Sequence, residues 1–312
     1  SETATPPTFK GGNHFSSTDF GYFAQIDYHP IPDLNIVAGG RADNNKIRIH
    51  GGYDWVFNPK AAVVYSPSDY VFKLIYSEAF KDADNFTKFS TSPGRLLPNP
   101  TLEPEKIKNV EISGGWKIND YMYLDVSAYQ SMFSNIVGTS TVTFIDTNGD
   151  TITTTQHQPV GKMVIQGIQS NLNVKYGNYS AYANYTFTNP YNTSESKEVR
   201  VGDIANHHIN FGLNAMYFKK LNINLRANWV GERPTGANTT ISGNPLDKID
   251  AFFLLNSAIS YNFWKGMTAQ ISLNNILDKE YFDPGVRSAN GDYYASRIPQ
   301  NRRNIMAKLM FS

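Results

Sequence analysis

Residues 59–105 read PKAAVVYSPSDYVFKLIYSEAFKDADNFTKFSTSPGRLLPNPTLEPE. Two β-type runs, Ala61–Tyr65 and Tyr70–Tyr76, flank the tight polar turn Ser66-Pro67-Ser68-Asp69. Proline at the second place of such a turn presets φ, and Ser and Asp bond back to the local backbone, so the segment predicts a hairpin. A polar stretch from Lys81 to about Leu102 predicts a long loop before a new strand near Lys106. A short turn at one end and a long loop at the other form the unit that the rest of the chain repeats.

Outward from this segment, strands are expected at Thr18–Tyr28, Leu34–Asp43 and Asp54–Tyr65, with Asn44–Tyr53 ambiguous. Further on, Lys106–Ile118 pairs with Tyr121–Val137, and a long loop spans Gly138–Gln158. Lys162–Tyr176 pairs with Tyr179–Thr188, His207–Phe218 with Leu221–Val230, and Ala251–Asn262 with Met267–Asn275. The segments 189–206, 231–249 and 276–301 read as loops, and Arg302–Ser312 is the final strand. About thirteen strands result. In Leu221–Val230, Leu221, Ile223, Leu225, Ala227 and Trp229 alternate with Asn222, Asn224, Arg226 and Asn228. Period two sends these sets to opposite faces of a sheet.

Soluble antiparallel sheets alternate too. Three features separate this chain from them. The strands run to about 10 residues or more, the length of a tilted span of hydrocarbon. Short and long connections alternate, as turns and outer loops do in outer-membrane barrels. Aromatics flank nearly every short turn: Tyr65 and Tyr70, Trp116 and Tyr121, Tyr176 and Tyr179, Tyr217 and Phe218, Tyr261 and Trp264. Rings at one depth make an interfacial belt. The polar face carries Glu111, Asp125 and Arg226, which predicts a wide, watery interior rather than a packed one.

Composition narrows the function. The chain has 312 residues, with 28 Lys+Arg against 27 Asp+Glu, so no basic field invites nucleic acid. Cysteine is absent, which removes disulfides and thiolate metal sites. Apolar runs are brief, Phe252–Leu255 being among the longest, so no membrane helix is expected. A mean hydropathy of −0.40 fits a barrel, whose strands are half polar. The opening residues SETATPPTFKGG lack the basic and apolar stretches of a secretory leader. No Walker loop, nucleophile elbow or Gly-rich dinucleotide loop is present, so no enzyme and no cofactor are expected.

Several motifs lie in order along the chain. They are Gly40, Arg41 and Asp43 at the end of Phe20–Asn44; Tyr76 and Phe80 closing the hairpin; and Asn99-Pro100-x-Leu102-x-Pro104-Glu105, with Glu111 on the following strand. Leu273-Asn274-Asn275-Ile276-Leu277-Asp278-Lys279-Glu280-Tyr281 and Arg302-Arg303-Asn304-Ile305 come near the end. Together they resemble the C-terminal part of a TonB-dependent outer-membrane receptor. The resemblance implies an all-β antiparallel transmembrane barrel of about 22 strands, of which residues 1–312 form one partial domain of about thirteen, without the plug domain. It implies partners in the plug domain and early strands, in the TonB energy-transducing complex acting through the plug, and in outer-membrane lipids. It implies import of a scarce ligand into the periplasm, a siderophore-type metal chelate first, with cobalamin, another metal chelate, an oligosaccharide or a peptide left open. Haem receptors of the family place a His before the Asn-Pro-x-Leu motif, and Lys81–Pro98 has none. Phe311 is penultimate, where the family usually ends on an aromatic. A passive porin-like channel and a barrel docking a surface lipoprotein are the rival readings.

The ligand of such a receptor would meet the long loops. Asp82, Asp84, Asn85, His157, Arg233, Arg287, Tyr293 and Tyr294 are the loop residues able to hydrogen-bond or stack. Asp146–Asp150 resembles the start of a calcium loop but lacks the closing Glu, and Asn148-Gly149 between β-type runs reads as a hairpin tip. His207 and His208 are neighbours on a strand and point to opposite faces, so they do not chelate one ion.

Overall fold

The computed structural model describes residues 17–47, 52–90, 96–145, 148–194, 199–234, 248–285 and 297–311. Thirteen strands form one antiparallel sheet in sequence order. They are β1 (Ser17–Ile31), β2 (Leu34–Ile47), β3 (Gly52–Tyr65), β4 (Tyr70–Lys81), β5 (Glu105–Asn119), β6 (Met122–Ile145) and β7 (Thr151–Tyr176). They continue with β8 (Tyr179–Asn192), β9 (His207–Tyr217), β10 (Leu221–Val230), β11 (Phe252–Trp264), β12 (Met267–Asn274) and β13 (Asn304–Phe311). β1 pairs only with β2 and β13 only with β12, so the described sheet has two open edges.

The register shows how alternation becomes two environments. Leu124, Leu172, Ala183, Phe211, Ala227 and Leu255 stand opposite one another from β6 to β11. One residue away, Asp125, Asn171, Asn184, Asn210 and Asn228 form a second row across β6 to β10. The first row faces lipid and the second faces the interior, because successive side chains leave a strand on opposite sides. Few side chains are fully buried, and exposed large apolar residues such as Ile271, Ile305 and Leu309 cover the outer face. That distribution fits a wall between lipid and water rather than a soluble core.

The short turns gather at one end. Tyr70 N–H donates to Pro67 O at 3.0 Å and closes the Ser66–Asp69 turn as the sequence predicts. Ring pairs Tyr70–Trp116, Tyr121–Tyr176 and Tyr179–Tyr217 lie 6.0, 4.9 and 5.9 Å apart beside the turns, forming the expected belt. The Tyr217–Lys220 turn puts Phe218 and Lys219 at φ 52° and 57°, a conformation that favours glycine or asparagine. Phe218, 88% exposed, places another ring in the belt despite that strain.

The other end departs from the expected loops. Residues 138–158 are not a long loop: β6 and β7 stay paired to Ile145↔Thr151, a strand pair of 24 and 26 residues. The segment is Thr- and Gln-rich and stands past the lipid, so it lacks the apolar alternation by which strands are recognised. Its tip is the hairpin expected at Asn148-Gly149, with Gly149 at φ 88°; residues 146–147 lie outside the described residues. Residues 44–53 continue β2 and open β3. The 81–105 segment contains a helix, α1 (Asn85–Phe89), and a two-residue strand, Leu96–Leu97. The segments 231–249 and 276–301 hold short pairs, Arg233-Pro234 with Lys248-Ile249 and Phe282–Pro284 with Arg297–Pro299. The last strand begins at Asn304, since Arg302 is committed to a loop contact.

Candidate ligand-binding site at the long-loop end

The loop after β4 is a folded unit. Asp84 caps α1, its carboxylate accepting from Thr87 N–H at 2.7 Å. That hydrogen bond, aided by the local backbone and Lys81, holds the Asp84 carboxyl below its ordinary range. Lys88 is fully buried and donates to both Asp82 oxygens at 2.7 Å. Burying an ammonium is tolerable only with such a partner. Past the helix, Leu96 and Leu97 pair in parallel with Thr155 and Gln156 of β7. Asn99, buried, donates from Nδ2 to His157 O at 2.8 Å, and Gln156 Nε2 donates to Pro98 O at 2.8 Å. Leu102, 1% exposed, is the apolar anchor. Glu105 accepts from Val137 N–H at 2.9 Å, where the β6–β7 register shifts. The Asn-Pro-x-Leu-x-Pro-Glu stretch therefore clamps this loop onto the tall β6–β7 hairpin.

The second clamp lies at the far side of the sheet. Asn275, 3% exposed and at φ 51°, accepts from Lys279 N–H and donates to Lys279 O, both at 2.8 Å. Asp278 accepts from Arg303 N–H at 3.0 Å and from Arg302 at 3.0 and 3.2 Å. The Arg303 amide first, and the Arg302 guanidinium second, lower the Asp278 carboxyl. These bonds turn the chain from β12 and aim it at β13.

Of the eight residues expected to meet a ligand, three come together. Asp82, Asp84 and His157 line one cavity of about 390 Å³ under the β6–β7 hairpin; Asp84 and His157 stand 73 positions apart in sequence, and the clamp described above brings them together. Asn85 begins α1 and is exposed. Arg233 lines a separate cavity of about 380 Å³ with His208, Asp283 and Phe252. It is 8% exposed, donates to Asp283 at 3.1 Å and to Phe282 O at 2.5 Å, and lies 5.6 Å from the Phe252 ring centre. Arg287, Tyr293 and Tyr294 lie outside the described residues. His208 and Asp283 were not anticipated beside Arg233; register alone puts His208 on the interior face, opposite Val230. His207 faces outward, within 2.9 Å of the Tyr185 hydroxyl, as its parity requires. Both cavities offer carboxylates, hydroxyls and cations at the mouth of a polar wall, which is equipment for binding.

Comparison with known proteins gives the same reading of the fold. Residues 3–276 match the family described as TonB dependent receptor-like, beta-barrel. A hemin receptor from Yersinia pestis is 23% identical over 305 residues, covering 90% of this chain and 41% of the relative. The chain thus spans about two fifths of the length of that curated relative. The siderophore receptor PirA from Acinetobacter baumannii superposes with a TM-score of 0.72 at 14% identity, covering 95% of this chain and 46% of its own. The ferric-catecholate import receptor Fiu from E. coli K12 gives a TM-score of 0.72 at 14% identity, with 95% and 45% covered. The copper transporter OprC gives 0.69 at 15%, with 95% and 48% covered.

Proposed function

Because the chain belongs to the TonB-dependent receptor-like β-barrel family, and is therefore wall of a Gram-negative outer-membrane barrel, we propose that it serves as part of a receptor that imports a scarce ligand into the periplasm. The observation that carries this reading is the asymmetry of the sheet's two ends. Short turns and rings occupy one end; clamped loops with two polar cavities occupy the other. Capture at the loop end and passage along an amide-rich interior need binding and gating, with no covalent step. Energy would arrive from the TonB complex through a plug domain seated against the interior face. A siderophore-type metal chelate is the first choice of ligand. The Lys81–Pro98 segment holds no His with which to ligate haem iron, which weighs against the hemin named for the Yersinia relative.

The test is uptake of ⁵⁵Fe-labelled chelates by the native host with and without the gene. Energised uptake that disappears on deletion, and on collapse of the proton-motive force, is the expected result. Uptake indifferent to the proton-motive force would replace the receptor by a passive channel.

A further inference from the structure

Charge divides the short-turn end of the sheet into two halves. The β1–β2, β3–β4 and β5–β6 turns each carry a carboxylate, Asp33, Asp69 and Asp120, and Lys117 meets Asp120 at 2.7 Å. The β9–β10 and β11–β12 turns carry Lys219, Lys220 and Lys265 instead. Residues 170–182, 214–224 and 260–273, which hold the turns of this half, include no Asp or Glu. Asn262 N–H donates to Lys220 O at 2.9 Å and sets the two lysine turns side by side. Between them lies a cavity of about 640 Å³, lined by all three lysines together with Phe263 and Trp264, and by no carboxylate.

The rings beside these lysines belong to the lipid-facing side. Tyr217, Leu221, Tyr261, Ala269 and Leu309 follow one another across β9 to β13 in the outer row. Nearer the turns, Met267 of the same face stands opposite Trp264 on one side and Phe311 on the other. Trp264 is 72% exposed and Phe311 68%. Phe218 and Lys219 occupy left-handed backbone positions that Asn and Gly would fill without strain, so a ring and a cation are held where the backbone disfavours them.

We infer that this half of the rim is a docking surface for an anionic phospholipid of the periplasmic leaflet. Short turns mark the periplasmic end of an outer-membrane barrel. The headgroup phosphate meets Lys219, Lys220 and Lys265, and the acyl chains descend along Trp264, Phe311 and the outer row. Lysines near a membrane surface attract anionic lipid, and exposed rings sit at headgroup depth. The rings decide against a soluble acidic partner, which would meet the lysines and leave the lipid-facing rings beside them unused. The carboxylates of the other half confine the surface to the turns from β9 to β12. Such a surface depends on the barrel's place in the membrane and on no property of the ligand that the loops capture.

The test uses the full-length receptor, purified in neutral detergent, with lipid binding read by native mass spectrometry. The probes are dioleoylphosphatidylglycerol, zwitterionic dioleoylphosphatidylcholine with the same chains, and glycerol 1-phosphate, an anion without chains. A lysine at a membrane surface is worth roughly fivefold in affinity for anionic lipid, so phosphatidylglycerol should bind at least about tenfold more tightly than phosphatidylcholine. The triple variant Lys219→Gln/Lys220→Gln/Lys265→Gln should bring the two lipids to the same affinity. All three side chains are exposed, and an unchanged urea midpoint confirms that the variant folds. The double variant Lys117→Gln/Lys175→Gln removes two charges from the same end outside the surface and should leave the preference intact. Equal affinity for the two lipids, a preference that survives the triple variant, or one lost equally in the double variant overturns the proposal. Glycerol 1-phosphate binding as tightly as the whole lipid also overturns it and makes the surface a site for soluble anions. Energised uptake is read separately, so loss of the lipid preference leaves the transport reading standing, and loss of uptake leaves the lipid surface standing.

Discussion

Single residues decide where this chain departs from a plain sheet. Gly212 faces Tyr182 across β8 and β9, and a Cβ there would fall 2.2 Å from the tyrosine ring. The ring occupies the space that glycine leaves, an arrangement known to support glycines within sheets. Gly212→Ala should therefore cost about 1–3 kcal/mol, the usual range for overpacking, in urea unfolding of the micelle-bound receptor. In a Tyr182→Ser background the same alanine should cost almost nothing. Asp84 makes a prediction about acid. Its carboxyl is held below the ordinary aspartate value of 3.8, first by Thr87 N–H. A lowered folded value means that the cap stabilises α1 fully above that ordinary value and is lost as pH falls through the lower folded one. A ¹³C carboxyl titration should place the Asp84 midpoint below 3.8. Asp84→Asn keeps an acceptor for Thr87 and should leave α1 insensitive to acid over that window.

At the scale of elements, what was readable depended on what enforces each element. Strands in lipid must alternate, so Leu221–Val230 and Met267–Asn274 appear in the structure with the bounds and faces that their sequences predict, or within a residue of them. Above the lipid nothing compels alternation, and the Thr-rich top of β6–β7 reads as loop while its cross-strand bonds keep it paired. The 81–105 segment hides its order for another reason. Its fold depends on partners 58 positions away, as in Asn99 to His157 and Gln156 to Pro98, which no local pattern reveals. The same holds for the site: composition could nominate Asp82 and Arg233, but only the structure shows each one bound to a buried or half-buried partner. The Asp82–Lys88 pair gives the element's prediction. Asp82→Ala strands a buried ammonium and should destabilise the loop by about 3 kcal/mol or more, seen as rapid amide exchange across residues 82–104. Lys88→Met, which removes the buried charge itself, should cost less. The double variant Asp82→Ala/Lys88→Met should sit close to Lys88→Met alone, because the damage in Asp82→Ala is the unpaired charge. Equal costs for the two single variants would mean that the pair acts through packing.

For the molecule as a whole, the claim that joins sequence, fold and location is that one face of the sheet meets lipid and the other meets water. Adjacent residues of β10 test it. Leu225 lies in the outer row with Leu213 and Ser257, whereas Asn224 lies on the interior face with Asn214 and Ala258. Both sit midway along the same strand, at nearly the same depth, so intrinsic strand preference and distance from the ends cancel between them. Arginine at position 225 would place its guanidinium in hydrocarbon, a change that costs about 2–4 kcal/mol near the bilayer midplane. Arginine at position 224 would join Arg226 in an interior already lined by Asn222 and Asn228, where water solvates it. Leu225→Arg should therefore lower the urea midpoint of the liposome-reconstituted receptor by the equivalent of that cost, while Asn224→Arg leaves it within about 0.5 kcal/mol of wild type. A soluble sandwich would give a related asymmetry only through a packed core, and that asymmetry would not depend on the thickness of any bilayer. The barrel's asymmetry is a property of the bilayer: thinning the membrane with shorter-chain lipids should shrink the penalty at Leu225 and leave Asn224→Arg unchanged. Similar penalties at both positions would mean that the two rows do not face different solvents, and the receptor wall inferred from them would fall.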